Sequence, residues 1–212
     1  MERRRQVLQA LAALAGLTWM AAVLFIAANP KDISLAGNLA YDRANRIHTL
    51  ALVILLATVL VMYRMIGASD LAGHRAAGAL LIGAVLMLVG NAVSFWGALF
   101  TNGTSEQFWG GWAGWLTFLP GLLLLLGAPI AMARAARDWP DTSKAQRWSI
   151  GLFGLLLTIT TGTWAISPAV TLAPALLATF ALFATATAVA DAARATRPAA
   201  RALTGQTAQP VT

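Results

Sequence analysis

The chain has 212 residues, of which 58% are hydrophobic and 11% charged, and its mean hydropathy is +0.69. A soluble globule of this size needs more polar surface than this composition supplies, so the sequence excludes a water-soluble fold and predicts an integral membrane protein. The formal charge of +7 does not indicate nucleic-acid binding, because the basic residues lie at the ends of apolar segments and not along one face.

Six segments are long and apolar enough to cross the hydrocarbon layer as helices, which takes about 20 residues each. They are predicted near residues 7–28, 47–66, 76–100, 112–134, 148–166 and 170–191. Short connections make sequential helices antiparallel neighbours, so the predicted fold class is an all-α integral membrane protein, a compact bundle of six transmembrane helices within residues 1–194. Residues 195–212, which contain Pro198, Gly205 and Pro210, are predicted to form a flexible basic cytoplasmic tail.

The distribution of basic residues predicts the orientation of this bundle. If both termini are cytoplasmic, only Lys31, Arg43 and Arg46 of the 15 Arg and Lys residues lie outside. Such an asymmetry follows the positive-inside rule, and the opposite orientation would reverse it. The frequent Ala, and the preference for Arg over Lys, indicate a GC-rich bacterial genome, so the predicted location is a bacterial inner membrane.

Small residues predict which helices pack closely. They are Ala79, Gly83, Gly90 and Ser94 in the third span and Gly151, Gly154, Thr158 and Gly162 in the fifth. Bilayer helices associate through small residues that allow close approach, so these two helices are predicted to be central. The run GLLLLLG at residues 121–127 of the fourth span is predicted to face lipid.

The first candidate site is the stretch YDRANRIHT at residues 41–49, which leads into the second span. It carries Asp42, Arg43, Asn45, Arg46 and His48. In a helix, Asp42 and Arg46 are four residues apart and can pair, while Asn45 and His48 share a neighbouring face. One interpretation is an outer site for an anion or a lipid headgroup. The other is a helix entrance, in which Asp42 favours the N-terminus and pairs with Arg46.

The second candidate site is an aromatic set predicted near the outer surface. It comprises Trp96, Phe108, Trp109, Trp112 and Trp115, with Trp164 predicted at a similar depth and Glu106 nearby. Indoles beside a carboxylate suit a quaternary ammonium or another organic cation. The alternative is an interfacial belt, matched on the inner side by Trp139 and Trp148.

The third candidate is the polar content within the spans. Asn91 in the third span is singled out, because an amide satisfies itself less easily than the threonines of the fifth span, which can bond their own backbone. Asn91 either joins helices as a structural hydrogen-bonding group or lines a polar path with those threonines.

The residue types that the spans and the whole sequence lack argue against several kinds of functional site. Deep in the spans there is no Asp, Glu, Lys or Arg, which argues against a charged relay for protons or coupling ions. The chain has no cysteine, and its two histidines, His48 and His74, lie near opposite faces, so neither haem nor zinc nor any other cofactor is predicted.

The leading functional hypothesis is therefore a non-catalytic accessory, sensory or regulatory protein. It contacts the lipid bilayer and binds a lipid, a small ligand, a partner subunit or a second copy at its outer rim. One alternative is a transporter or channel for a neutral or weakly cationic solute. Another is an intramembrane enzyme acting on a lipid or isoprenoid, with Asp42, His48 or Glu106 as acid or base.

Overall fold

The computed structural model describes residues 2–28, 39–67, 70–95, 114–164 and 168–206, and the described residues form six α-helices. The helices are α1 (Glu2–Ala27), α2 (Leu39–Met65), α3 (Leu71–Phe95), α4 (Gly114–Ala135), α5 (Lys144–Trp164) and α6 (Pro168–Gln206). For residues 39–43, 94, 95, 162–164, 168, 169 and 196–206 the helix is described but not the side chains. The all-helical, multi-pass character of the chain is confirmed.

Five of the six helices are long and apolar enough to cross a membrane. The exception among the described helices is α5, whose first turn contains Lys144, Gln146 and Arg147. The sixth span and the cytoplasmic location of both termini therefore stay predictions. Helix α6 continues to Gln206, well past the predicted end of the last span at residue 191. The flexibility of residues 195–212 also stays a prediction.

Cysteine labelling in intact cells tests the number of spans, because the chain contains no native cysteine. With six spans, Glu2→Cys, Lys144→Cys and Arg194→Cys all resist a membrane-impermeant maleimide until the membrane is permeabilised. Lys31→Cys reacts without permeabilisation and serves as the outer control. If α5 does not span, Arg194→Cys moves to the outer side and reacts in intact cells, while Glu2→Cys stays protected.

The helices close into a ring. Each helix packs against its neighbours in sequence, and α1 also packs against α6, which joins the two ends of the chain. Helix α2 additionally touches α6. The buried core inside this ring is almost entirely apolar, with Leu8, Leu52, Leu80, Leu125 and Ile150 all fully buried.

Glycines bring α3 and α4 into the most extensive helix contact of the bundle. A Cβ atom on Gly121 would lie 2.7 Å from the backbone nitrogen of Met87 and 2.8 Å from the carbonyl oxygen of Gly83. One on Gly90 would lie 2.7 Å from the carbonyl oxygen of Gly114. Two backbones this close leave no room for a side chain, as is typical of small-residue packing in membranes.

The small residues of the third and the fifth span both pack against α4. On α5, a Cβ atom on Gly154 would lie 2.5 Å from the carbonyl oxygen of Leu125, so α5 also packs closely on α4. Helix α4 thus lies between α3 and α5. The lipid-facing interpretation of residues 121–127 holds for one face only: Leu123 and Gly127 are exposed, whereas Gly121 and Leu125 are buried.

A hydrogen-bonded clamp formed by Asp70 and Trp139 joins the start of α3 to the connection that follows α4. Asp70 precedes α3 and accepts a hydrogen bond from the backbone N–H of Gly73 at 2.8 Å, as an N-capping carboxylate does. Its other oxygen accepts the indole N–H of Trp139 from the α4–α5 connection. Trp148 is 64% exposed, whereas Trp139 is buried and makes this specific contact. The inner tryptophan belt stays a prediction.

Trp139→Phe is expected to lower the free energy of unfolding by about 1.5 kcal/mol, because the ring stays but the donor to a carboxylate is lost. Trp148→Phe is the matched control, since Trp148 is 64% exposed, and should change stability little. Unfolding in mixed micelles of a denaturing detergent measures both. Equal effects of the two substitutions would contradict the clamp.

Candidate functional site

The stretch at residues 41–49 belongs to the first turns of α2 and does not precede the helix as a loop. Its residues Asn45, His48 and Thr49 follow the i, i+3, i+4 spacing of one helix face. Asn45 is 4% exposed and His48 is 3% exposed, so this face points into the bundle. The polar residues of the stretch are thus divided between an inward face and the helix entrance.

Asn91 of α3 meets this inward face. Thr49 Oγ1 donates to Asn91 Oδ1 at 2.5 Å and also to the carbonyl oxygen of Asn45 at 2.9 Å. Asn91 Nδ2 lies 3.4 Å from His48 Nδ1. With the amide in this orientation, Nδ2 donates and His48 Nδ1 accepts, which corresponds to a neutral imidazole with its proton on Nε2. One amide thereby bridges two residues of α2.

Trp19 of α1 completes the group. Its ring centroid lies 4.6 Å from that of His48 at an interplanar angle of 76°, an edge-to-face contact. The indole Nε1 of Trp19 is buried and has no hydrogen-bond acceptor among the described residues. Trp19, His48, Thr49 and Asn91, which we call the polar cluster, therefore join α1, α2 and α3 inside an otherwise apolar core.

Sequence reasoning named Asn91 and His48 but not their partners. Trp19 was missed because it lies in the middle of an apolar span, where its ring counts as hydrophobic. A buried indole among small residues such as Gly16 was the available signal, since its N–H needs a partner. Thr49 was missed although it stands four residues after Asn45, on the same face.

The remaining residues of the first candidate site are only partly described. Arg46 is half-buried and makes contacts of its own. The side chains of Asp42 and Arg43 lie outside the described residues, so the pairing of Asp42 with Arg46 stays a prediction. The same holds for an outer site built from these charges.

The tryptophan cage also stays a prediction. Trp96, Glu106, Trp109 and Trp112 lie outside the described residues, and the side chain of Trp164 is not described either.

Three threonines in the described part of α5 form hydrogen bonds within their own helix. The hydroxyl groups of Thr158, Thr160 and Thr161 donate to the carbonyl oxygens of the residues four positions earlier, at 2.7–2.9 Å. Such bonds leave less hydrogen-bonding capacity for a passing solute.

A small cavity lies beside the polar cluster. It has a volume of about 20 Å³ and is lined by Trp19 of α1, Leu55 of α2, Phe153 of α5 and Thr179 of α6, among others. This is room for about one water molecule.

Among the residues that the structure describes, no three His, Cys, Asp or Glu side chains are grouped closely enough to hold a metal ion. No protein-family profile matches the chain, and no curated protein or solved structure is significantly similar to it. The polar cluster is thus the feature of the described structure on which a functional proposal can stand.

Proposed function

We propose that this chain is a non-catalytic accessory, sensory or regulatory membrane protein. In this proposal a partner or small ligand binds at its outer rim and acts on the polar cluster. The carrying observation is the convergence of His48, Asn91 and Trp19 from three helices at one buried point, with Asn91 bonded to α2.

The cluster has the physical properties that such coupling needs. Burying a polar group costs free energy unless it is hydrogen-bonded, so the bonded arrangement of Asn91 and Thr49 fixes the register of α3 against α2. A shift of α2 breaks these bonds together, which favours discrete arrangements of the helices over gradual sliding. The first turns of α2 carry Arg43 and Arg46, which are predicted to lie outside. A ligand that binds there and moves α2 would therefore act directly on the hydrogen bonds of the polar cluster.

Two observations favour this proposal over the alternatives. The cavity of about 20 Å³ between α1, α2, α5 and α6 has room for about one water molecule, which is too small for a larger solute. His48 is 3% exposed and its Nδ1 is 3.4 Å from an amide nitrogen, a geometry suited to holding helices and not to proton transfer to a lipid substrate.

Purification of the full chain from its native membrane in a mild detergent tests the proposal. We expect native mass spectrometry to find a partner or small molecule that the wild type retains. Arg46→Ala should weaken this retention at least tenfold, because Arg46 lies at the helix entrance. Leu50→Ala is the matched control: Leu50 is 55% exposed, four residues further along the same helix, and its removal should leave retention unchanged.

A wild type that retains nothing, or an Arg46→Ala variant that retains as much as the Leu50→Ala control, would refute binding at this rim. Flux measurements in proteoliposomes provide the complementary test. Uptake of a neutral or cationic solute by the intact protein would replace the proposal with the transport hypothesis.

A further inference from the structure

Four cations surround one end of a groove between α4 and α5. The groove has a volume of about 530 Å³, and Arg134 and Arg137 line it from the α4 side, with Lys144 and Arg147 opposite on α5. It lies at the loop end of these helices, away from the polar cluster, and its interpretation does not depend on the proposed function.

The rest of the groove is apolar. Below the cations, its walls are formed by Ile130 of α4 and by Leu152 and Leu155 of α5, each between 41% and 44% exposed. Trp148, which is 64% exposed, stands at the level between the charged and the apolar parts. Tryptophan at this position is typical of the headgroup level of a bilayer. The groove is therefore complementary to a phospholipid, because its cationic end matches an anionic headgroup and its apolar walls match an acyl chain.

The cations have no charged partner in the described part of the chain. The one salt bridge found there joins Arg5 to Asp191, on α1 and α6. Asp138 and Asp141 lie in the loop beside the groove but are exposed and form no salt bridge with it among the described residues. The Nε atom of Arg147 is buried and has no hydrogen-bond acceptor within the described residues. A buried guanidinium nitrogen without an acceptor costs free energy, and Arg forms strong charge-assisted hydrogen bonds to phosphate oxygens.

We infer that this groove binds an anionic phospholipid, with its phosphate on Arg134, Lys144 and Arg147 and an acyl chain along Ile130, Leu152 and Leu155. A basic pocket between two membrane helices is a known form of lipid headgroup site. The exposed apolar walls fit this occupant, because a lipid enters sideways from the bilayer. The bound lipid fills the gap between α4 and α5 and stabilises their contact.

The test uses the full chain in an uncharged detergent and measures the apparent Kd for phosphatidylglycerol. We expect Arg134→Gln/Arg147→Gln to weaken binding roughly 25-fold, since each cation near the membrane surface contributes roughly fivefold. Arg75→Gln/Arg194→Gln is the matched control, because both arginines are exposed and lie outside the groove. This double substitution removes the same amount of positive charge as the groove variant. Its Kd should stay within twofold of the wild type.

Gly151→Leu tests the acyl seat without changing any charge. Gly151 lines the groove, and a Cβ there would be 3.7 Å from its nearest neighbour, Ala133, so a side chain fits but occupies the groove. We expect at least fivefold weaker binding. If the double variant does not fold, Arg134→Gln alone, at an exposed position, should weaken binding roughly fivefold.

Three results would overturn the inference. The first is equal weakening in the groove and control double variants, and the second is an unchanged Kd in Gly151→Leu. The third is an apparent Kd for phosphatidylcholine or for inorganic phosphate that equals the Kd for phosphatidylglycerol. Phosphatidylcholine would show that charge is not recognised, and inorganic phosphate would show an anion site without a lipid.

Discussion

Gly121→Ala is expected to lower the free energy of unfolding by about 1–3 kcal/mol, because an added methyl group would overpack a closed interface. Its Cβ would lie 2.7 Å from the backbone nitrogen of Met87 and 2.8 Å from the carbonyl oxygen of Gly83. Backbone atoms cannot rotate away as a side chain can, so α3 and α4 must move apart. The contact with the largest extent in the bundle is then weakened along its whole length.

Gly127→Ala is the matched control on the same helix. A Cβ on Gly127 has no neighbour within 4 Å, and alanine has the better helix propensity, so stability should stay the same or rise slightly. Unfolding in mixed micelles, followed by circular dichroism, measures both variants. Indistinguishable transitions for the two would show that the glycine contact does not hold α3 against α4.

Asn91→Leu is expected to lower the free energy of unfolding by about 1–3 kcal/mol, since it removes the group that bridges His48 and Thr49 of α2. Leucine has a similar size, so the loss is mainly one of hydrogen bonding. Thr49→Val should cost less, about 0.6 kcal/mol, the average for a single hydrogen bond between membrane helices. Val89→Leu is the control, because Val89 is 43% exposed on the same helix.

A double-mutant cycle measures the interaction energy between Thr49 and Asn91. If Thr49 and Asn91 interact, Asn91→Leu/Thr49→Val should cost less than the sum of the single changes, because neither partner of the Thr49–Asn91 hydrogen bond is then left behind unpaired. Additive effects would mean that the two residues are neighbours without being coupled. A stabilising Asn91→Leu would show that the buried amide is retained for something other than stability.

The sequence predicted two members of the polar cluster, Asn91 and His48, as notable residues but did not predict their contacts. Asn91 was conspicuous because an amide in hydrocarbon is costly, and this holds whatever surrounds it. Its contact with His48 joins positions 43 apart in the chain, and no local pattern carries that information. Trp19 lies 29 positions before His48, and only packing shows that the two rings meet.

Hydropathy and segment length alone predicted a helical membrane protein and the order of its helices, because a bilayer requires internally bonded spans of a given length. Small residues alone predicted close helix contacts, since only missing side chains permit them. The choice of partner came from tertiary structure: α4 receives the glycines of both α3 and α5, although its own sequence is the most leucine-rich. The ring closed by α1 and α6 decides which polar faces meet. Their meeting depends on geometry between helices, and the sequence carries no signal for it.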